Sequence, residues 1–225
     1  MAHNHRNLET LYRNRFSKEE LALKQRIWKL LCSDFLQKFV MPTDQVVDIG
    51  AGYCEFINNV VAGGKFAVDL NPETRDFADG NVRVINEPAN SIKSIPDGSI
   101  DVVFMSNFLE HLPSKQAILD VFKESYRILR DSGRIVVLQP NIRYLPGAYW
   151  DFFDHHTPLT DRSLVEGLRV AGFQPTMVVP KFLPYSTKDR LPKASIFLRI
   201  YLRVRLLWRI FGKQALVVAI KQRPT

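Results

Sequence analysis

Cysteine is scarce in this chain: Cys32 and Cys54 are the only two among 225 residues. Two cysteines cannot build the disulfide framework of a small secreted domain, and they fit a reducing compartment. Long hydrophobic runs are missing as well. No stretch approaches the ~18 consecutive uncharged apolar residues of a bilayer-spanning helix. The opening Met1 to Arg6 lacks the charged-then-apolar layout of a secretory leader. Acidic residues are nearly absent from one region only. Residues 181–225 hold 11 Lys and Arg against the single Asp189, a balance of +10, whereas residues 1–180 hold 20 against 22, a balance of −2. The basic excess is therefore local and argues for a local anionic partner. The expected location is the cytoplasm, with peripheral contact at the inner membrane face.

The remaining pattern is that of one well-cored α/β domain. Residues 17–39 read as an amphipathic helix, with Ser17 and Glu20 as a capping box and Leu21, Leu23, Ile27, Trp28, Leu31 and Phe35 on its apolar side. Short β-rich runs follow at 45–49, 65–69, 82–85, 99–105 and 133–138. Helical stretches start near Glu55 and Asn71 and run over 114–130. Such alternation predicts a mostly parallel sheet with helices on both faces. An aromatic loop spans Tyr144 to Thr157, a helix runs from Thr160 to Ala171 before Gly172, and strands are expected at Val178–Pro180 and Ala215–Ile220.

The first strand ends in Asp48-Ile49-Gly50-Ala51-Gly52-Tyr53. Glycines there let the backbone pass close to a bound nucleoside. Asp69 closes the second strand, where a carboxylate can accept both hydroxyls of an adenosine ribose. A dinucleotide site would need a third glycine at position 55, so that pyrophosphate meets a helix N-terminus. That position is Glu55, a carboxylate that repels pyrophosphate. An adenosine cofactor with a cationic end fits better, with Asp48 suited to the cation.

Four stretches, 46–52, 67–72, 100–112 and 127–134, together resemble the class I S-adenosylmethionine (SAM)-dependent methyltransferases in order and spacing. The resemblance implies a Rossmann-like seven-stranded sheet with a reversed final hairpin. It also implies a single domain, in which residues 1–44 are a helical extension, 45–139 the SAM-binding core and 140–225 the acceptor side. Gly50, Ala51 and Gly52 would wrap the methionine part beside Asp48 and Tyr53, and Asp69 would hold the ribose. Leu70 would pack on the adenine next to Asn71, with Asn90 and Ser91 near its amino edge. Ser106, Asn107 and Phe108 would line the pocket after the fourth strand. Two departures stand out. The third glycine of the usual G-x-G-x-G is Cys54, and no acidic residue stands near the adenine at 88–91.

Methyl transfer to a hydroxyl benefits from a general base, and the candidates are His111, His155 and His156. The loop holding His155 and His156 mixes aromatic rings, carboxylates and imidazoles, as a sugar- or polyol-sized site does. Some methyltransferases of this class hold a divalent ion through E-x-x-E-H after the fourth strand plus a later histidine; here Asn107 replaces the first Glu before Glu110 and His111, which leaves the metal requirement open. The expected activity is O-methylation of a saccharide, lipid-linked or other small-metabolite acceptor. Nucleic-acid methylation is the alternative, weakened because Ser106-Asn107-Phe108-Leu109 replaces the N/D-P-P-Y/F tetrapeptide; a non-catalytic SAM-binding protein is the third reading. Residues 195–211 read as one basic amphipathic helix. Ile196, Phe197, Ile200, Tyr201, Val204, Leu207, Trp208 and Phe211 would pack on the core, Arg199, Arg203, Arg205 and Arg209 would lie opposite, and Leu198, Leu202, Leu206 and Ile210 would fall between. A helix of this kind suits an anionic membrane surface.

Overall fold

Ile100–Ser106 is buried along its whole length up to Ser106, the mark of a strand covered on both faces. It is β4, the centre of a seven-stranded sheet in the computed structural model, which describes residues 18–185 and 195–222. The other strands are β1 (Gln45–Ile49), β2 (Gly64–Val68), β3 (Val82–Ile85), β5 (Leu129–Pro140), β6 (Phe173–Val179) and β7 (Gln214–Lys221). Their order is β3-β2-β1-β4-β5-β7-β6. Neighbours are parallel from β3 through β5, while β7 runs antiparallel to both β5 and β6. Chain direction across the sheet reverses between β1 and β4, and ligands of open α/β sheets bind in the crevice at that switch point.

Helices cover both faces. α1 (Lys18–Asp34), α2 (Glu55–Asn59), α6 (Ser195–Arg203) and α7 (Arg205–Phe211) share one apolar core with Val46, Phe104 and Leu216. α4 (Lys115–Ile128) and α5 (Asp161–Val170) share the other with Val47, Val103 and Val137. A single turn, α3 (Thr74–Phe77), follows β2. Ser114 caps α4 by accepting from the Ala117 amide at 3.1 Å. Thr160 and Ser163 cap α5 reciprocally, and Gly172 ends it at φ +95°. No helix among the described residues is long and apolar enough to cross a membrane.

Three expectations need correction. The first helix ends at Asp34, and Leu36–Phe39 form a 3-10 turn; Ser17 of the expected capping box lies outside the described residues. The strand expected at Val178–Pro180 covers Phe173–Val179. Pro175 is tolerated there because β6 is an edge strand and its register shifts between Pro175 and Met177. The third correction is the largest. Residues 195–211 are two helices that part at Val204, whose φ of −99° and ψ of 91° are extended. Leu198, Tyr201, Leu202 and Trp208 face the core, while Ile196, Phe197, Ile200, Val204 and Phe211 are exposed. Within α6 the inward face is Leu198, Tyr201 and Leu202 rather than the expected one, and the break at Val204 lets α7 turn Trp208 inward independently.

Candidate functional site

The turn after β1 alternates left-handed positions: Gly50 at φ +71°, Gly52 at +50° and Cys54 at +58°. A side chain on Gly50 would collide with the Phe108 ring. The usual third glycine is explained by the same geometry, because Cys54 holds a conformation that L-residues rarely adopt. Its buried thiol compensates by lying 3.7 Å from the Thr74 carbonyl oxygen. The turn is fastened to β2. The Gly50 amide donates to Val68 O at 2.9 Å, and the Gly52 amide donates to Asp69 Oδ2 at 2.8 Å. Asp69 Oδ1 accepts from the Asn71 amide at 2.8 Å. Burial raises the Asp69 carboxyl, while the donors on Asn71 and Gly52 oppose the rise. The Leu70 amide is a third donor to this carboxylate, whose about four lone-pair sites leave capacity for a ligand.

Two cavities adjoin this turn. One, of about 390 Å³, is lined by Asp69, Leu70, Asn71, Asn90, Asn107 and Phe108, among others. The second, of about 290 Å³, takes in Asp48, Ala51, Gly52, Tyr53, Ser106 and Glu110. Gly50, Asn107 and His111 belong to both, so the cavities meet there. Ser91 is not in either lining; its amide closes a turn onto Pro88 O at 2.9 Å. Glu87 does reach the first cavity, but its carboxylate is bound to the Ser94 hydroxyl and amide, which hold it below the usual range.

Asp48 is wholly buried. Its carboxyl is pushed well above the ordinary carboxylate range by desolvation, and next by the nearby carboxylates Glu55 and Asp69. Such a group takes up a proton more readily folded than unfolded. Its contribution to stability is therefore unfavourable above the ordinary value of 3.8 and grows as pH rises to the folded pKa. Asp48→Asn is expected to raise the Tm of the ligand-free protein, by about 2–4 °C for each kcal/mol relieved. The gain should be smallest near pH 4 and larger at neutrality. Scanning calorimetry across that range checks it, and a gain that does not change with pH would contradict the burial argument.

Beyond β4, a 3-10 turn (Leu109–His111) carries Glu110 and His111. His111 Nδ1 lies 3.0 Å from Asp154 O and 3.2 Å from Asp154 Oδ2. His155 Nδ1 lies 2.9 Å from Tyr149 O, and its ring stacks on Phe152. A carbonyl oxygen can only accept, so both Nδ1 atoms carry a proton, and in the neutral form of either ring the lone pair is on Nε2. The two rings are 5.1 Å apart. His156 does not join them: its side chain is exposed, and only its amide is engaged, donating to Glu110 O at 2.8 Å. Glu110, His111 and His155 each place a possible ligand atom within 4.8 Å of the others, close enough to share a divalent ion.

Several residues of the site escaped the sequence reading. Ile27, Trp28 and Leu31 of the N-terminal helix line the second cavity, as do Leu183, Leu198 and Gln214. Asp154 is the partner of His111, and its only sequence signal is its place beside the His155-His156 pair. In the sequence Glu110 was a candidate metal ligand but not a buried cavity wall. Its carboxyl is raised, chiefly by burial, and its Oε2 has no hydrogen-bond partner.

Residues 47–137 match the sequence model of a methyltransferase domain. No curated protein matches the chain. Among solved structures, a SAM-dependent methyltransferase from Archaeoglobus fulgidus aligns with a TM-score of 0.66 at 22% identity, covering 96% of this chain and 99% of that one. A possible histamine N-methyltransferase from Thermotoga maritima gives 0.68 at 18% identity, over 94% and 98%. Geranyl diphosphate C-methyltransferase from Streptomyces coelicolor A3(2), in complex with Mg²⁺, geranyl diphosphate and S-adenosyl-L-homocysteine, gives 0.60 at 17%, over 91% and 81%. Residues 47–137 thus resemble a methyltransferase domain in sequence, and the chain has the fold of these SAM-dependent methyltransferase structures.

Proposed function

We propose that the chain is a SAM-dependent O-methyltransferase acting on a hydroxyl of a saccharide, lipid-linked or other small-metabolite acceptor. One observation carries the reading: the two cavities meet at Gly50, Asn107 and His111, and the imidazole at that junction is oriented by Asp154. The residues present fit the cofactor. Asp69 keeps acceptor capacity for ribose hydroxyls at the rim of the larger cavity. Asp48, a buried carboxyl with no cation among the causes that move it, suits the cationic methionine end. When bound, SAM supplies an electrophilic methyl group on a sulfonium.

The protein's own part is to position the acceptor, exclude water and take a proton. His111 Nε2 accepts the proton of the acceptor hydroxyl. Asp154 holds His111 in the tautomer that leaves this nitrogen basic, and favours the imidazolium that forms. His155 presents its ring to the same cavity, 5.1 Å from that of His111. In this reading the whole chain works as one unit: 45–139 holds the cofactor, while 1–44 and 140–225 enclose the acceptor. The fold handles an isoprenoid diphosphate in the S. coelicolor enzyme, which supports a lipid-linked acceptor. The basic segment 195–211 supports peripheral contact with an anionic membrane, where such an acceptor would be met.

A second reading is favoured by the Glu110, His111 and His155 cluster. A divalent ion there would orient the acceptor oxygen, and His111 would then be a ligand rather than the base. The test of both readings is transfer of labelled methyl from SAM to lipid and polysaccharide-precursor fractions, with and without chelator. Labelled product in a chelator-treated reaction supports the base. Activity lost to chelator and restored by Mg²⁺ or Mn²⁺ supports the ion. SAM binding without labelled product in any fraction would leave a non-catalytic SAM binder, and label in nucleic acid would overturn the small-acceptor reading.

A further inference from the structure

Helix α6 has two unlike sides. Leu198, Tyr201 and Leu202 turn inward, and Leu198 forms part of the wall of the second cavity. The Tyr201 hydroxyl donates to Phe182 O at 2.6 Å, and Trp208 Nε1 donates to Tyr201 O at 2.7 Å, so α6 and α7 are locked to one another and to the core. The outward side is apolar and open to solvent. Ile196 is 61% exposed and Phe197 53%, and on α7 Leu206 is 62% and Ile210 59% exposed. Seven of the fifteen exposed large hydrophobic residues among those described fall between 196 and 211. That clustering is more than scattered surface apolarity.

The charge carried by these two helices has one sign. Arg203, Arg205 and Arg209 are exposed, and no Asp or Glu occurs from 195 to 225. Arg199 is paired with Asp34 at 3.2 Å. A second copy of the chain on this face would bring like charges together. Nucleic acid would match the arginines but leave the apolar side chains in water. An anionic bilayer satisfies both, because guanidinium groups reach phosphates while Leu, Ile and Phe enter the acyl boundary.

The cavity behind Leu198 is equally two-natured. Ile27, Trp28, Leu31 and Leu198 are apolar walls, whereas Glu110 and Gln214 are buried polar members of the same lining. Glu110 Oε2 and Gln214 Oε1 are buried with no hydrogen-bond partner. The Tyr149 hydroxyl, near enough to Glu110 for that carboxylate to help raise its pKa, is buried and unpartnered too. A wholly polar acceptor would leave the walls wet, and a wholly apolar one would leave these atoms unpaired.

We infer that the outward face of α6 and α7 docks on an anionic lipid bilayer and that the acceptor is an amphiphile. Its apolar chain runs past Leu198 between α1 and α6, and its polar head meets Glu110 and Gln214. This rests on the methyltransferase reading and narrows its acceptor. Two measurements test it. In flotation assays the wild type should rise with vesicles of equal phosphatidylglycerol and phosphatidylcholine at low salt, and not with phosphatidylcholine alone. The triple variant R203Q/R205Q/R209Q and the double variant I200S/I210S should each lose at least 10-fold of that partitioning while keeping wild-type SAM affinity. No flotation of the wild type, equal flotation with neutral vesicles, or a dimer in gel filtration that I200S/I210S splits would overturn the docking. In calorimetry, dodecyl β-D-glucoside below its micelle concentration should bind at least 10-fold more tightly than glucose, and Leu198→Asn should abolish that preference. Equal binding of the two probes, or binding of neither, would overturn the amphiphile. Failure of the methyltransferase reading itself would show separately, as loss of SAM binding in the wild type.

Discussion

His111→Ala is expected to lower kcat by ~10²–10⁴-fold, the usual range for removing a general base, while the SAM Kd changes by less than about 2-fold. The asymmetry follows from position. His111 stands where the two cavities meet, and the cofactor's nucleoside end would be held by Asp69 and the glycine turn instead. Asp154→Asn should fall less, by about 10-fold, because an amide oxygen can still accept from Nδ1 but gives no charge to the imidazolium. The exposed His156 is the internal control: alanine there leaves the main-chain bond to Glu110 in place and should leave kcat unchanged. Single-turnover kinetics with labelled SAM checks all three. Unaltered turnover in His111→Ala would remove the base from this site. Equal losses in His111→Ala and His155→Ala that disappear in chelator-treated enzyme would identify a shared ion instead.

The geometry of the proposed cofactor half was legible because its signals are local. The turn at 48–53 and the carboxylate at 69 belong to consecutive strand ends, and parallel pairing of Asp48 with Ala67 brings them together without help from the rest of the chain. The proposed acceptor half is assembled from distant segments. Trp28, Glu110, His155, Leu198 and Gln214 come from five elements or loops, and no spacing rule connects them. The tail was misread for a different reason. A 3.6-residue periodicity runs through 195–211 with no Gly or Pro to interrupt it, yet Val204 adopts an extended conformation. The indole of Trp208 satisfies the Tyr201 carbonyl that the break leaves open, an interaction seven residues apart that periodicity cannot register. Cys54 is the converse case. A non-glycine in a left-handed turn looks like a departure in sequence, but the buried thiol and its contact with the Thr74 carbonyl oxygen hold it there.

Asp69→Ala should weaken SAM by ~2 kcal/mol or more, about 30-fold in Kd, since a buried pair of donors loses its charged acceptor. The carboxylate has two tasks, and a single Kd cannot separate them. It accepts the Gly52 and Asn71 amides, which shapes the turn, and it offers its remaining lone pairs to the ribose. Removing it leaves these amides and that of Leu70 to find water, so a lower Tm for the ligand-free variant is also expected. The two tasks separate when the ligand changes along with the protein. S-adenosylhomocysteine and its 2′,3′-dideoxy analogue differ only in the hydroxyls that Asp69 would accept. The wild type should prefer the former by about 30-fold if both donors are held. Asp69→Ala should bind both weakly, with the preference nearly gone. If the wild type shows no preference, the carboxylate is a staple between β1 and β2 and nothing more. If the preference survives in Asp69→Ala, the ribose is held by another group on the rim of the larger cavity, where Asn71, Glu87 and Asn90 are the side chains in place to do it.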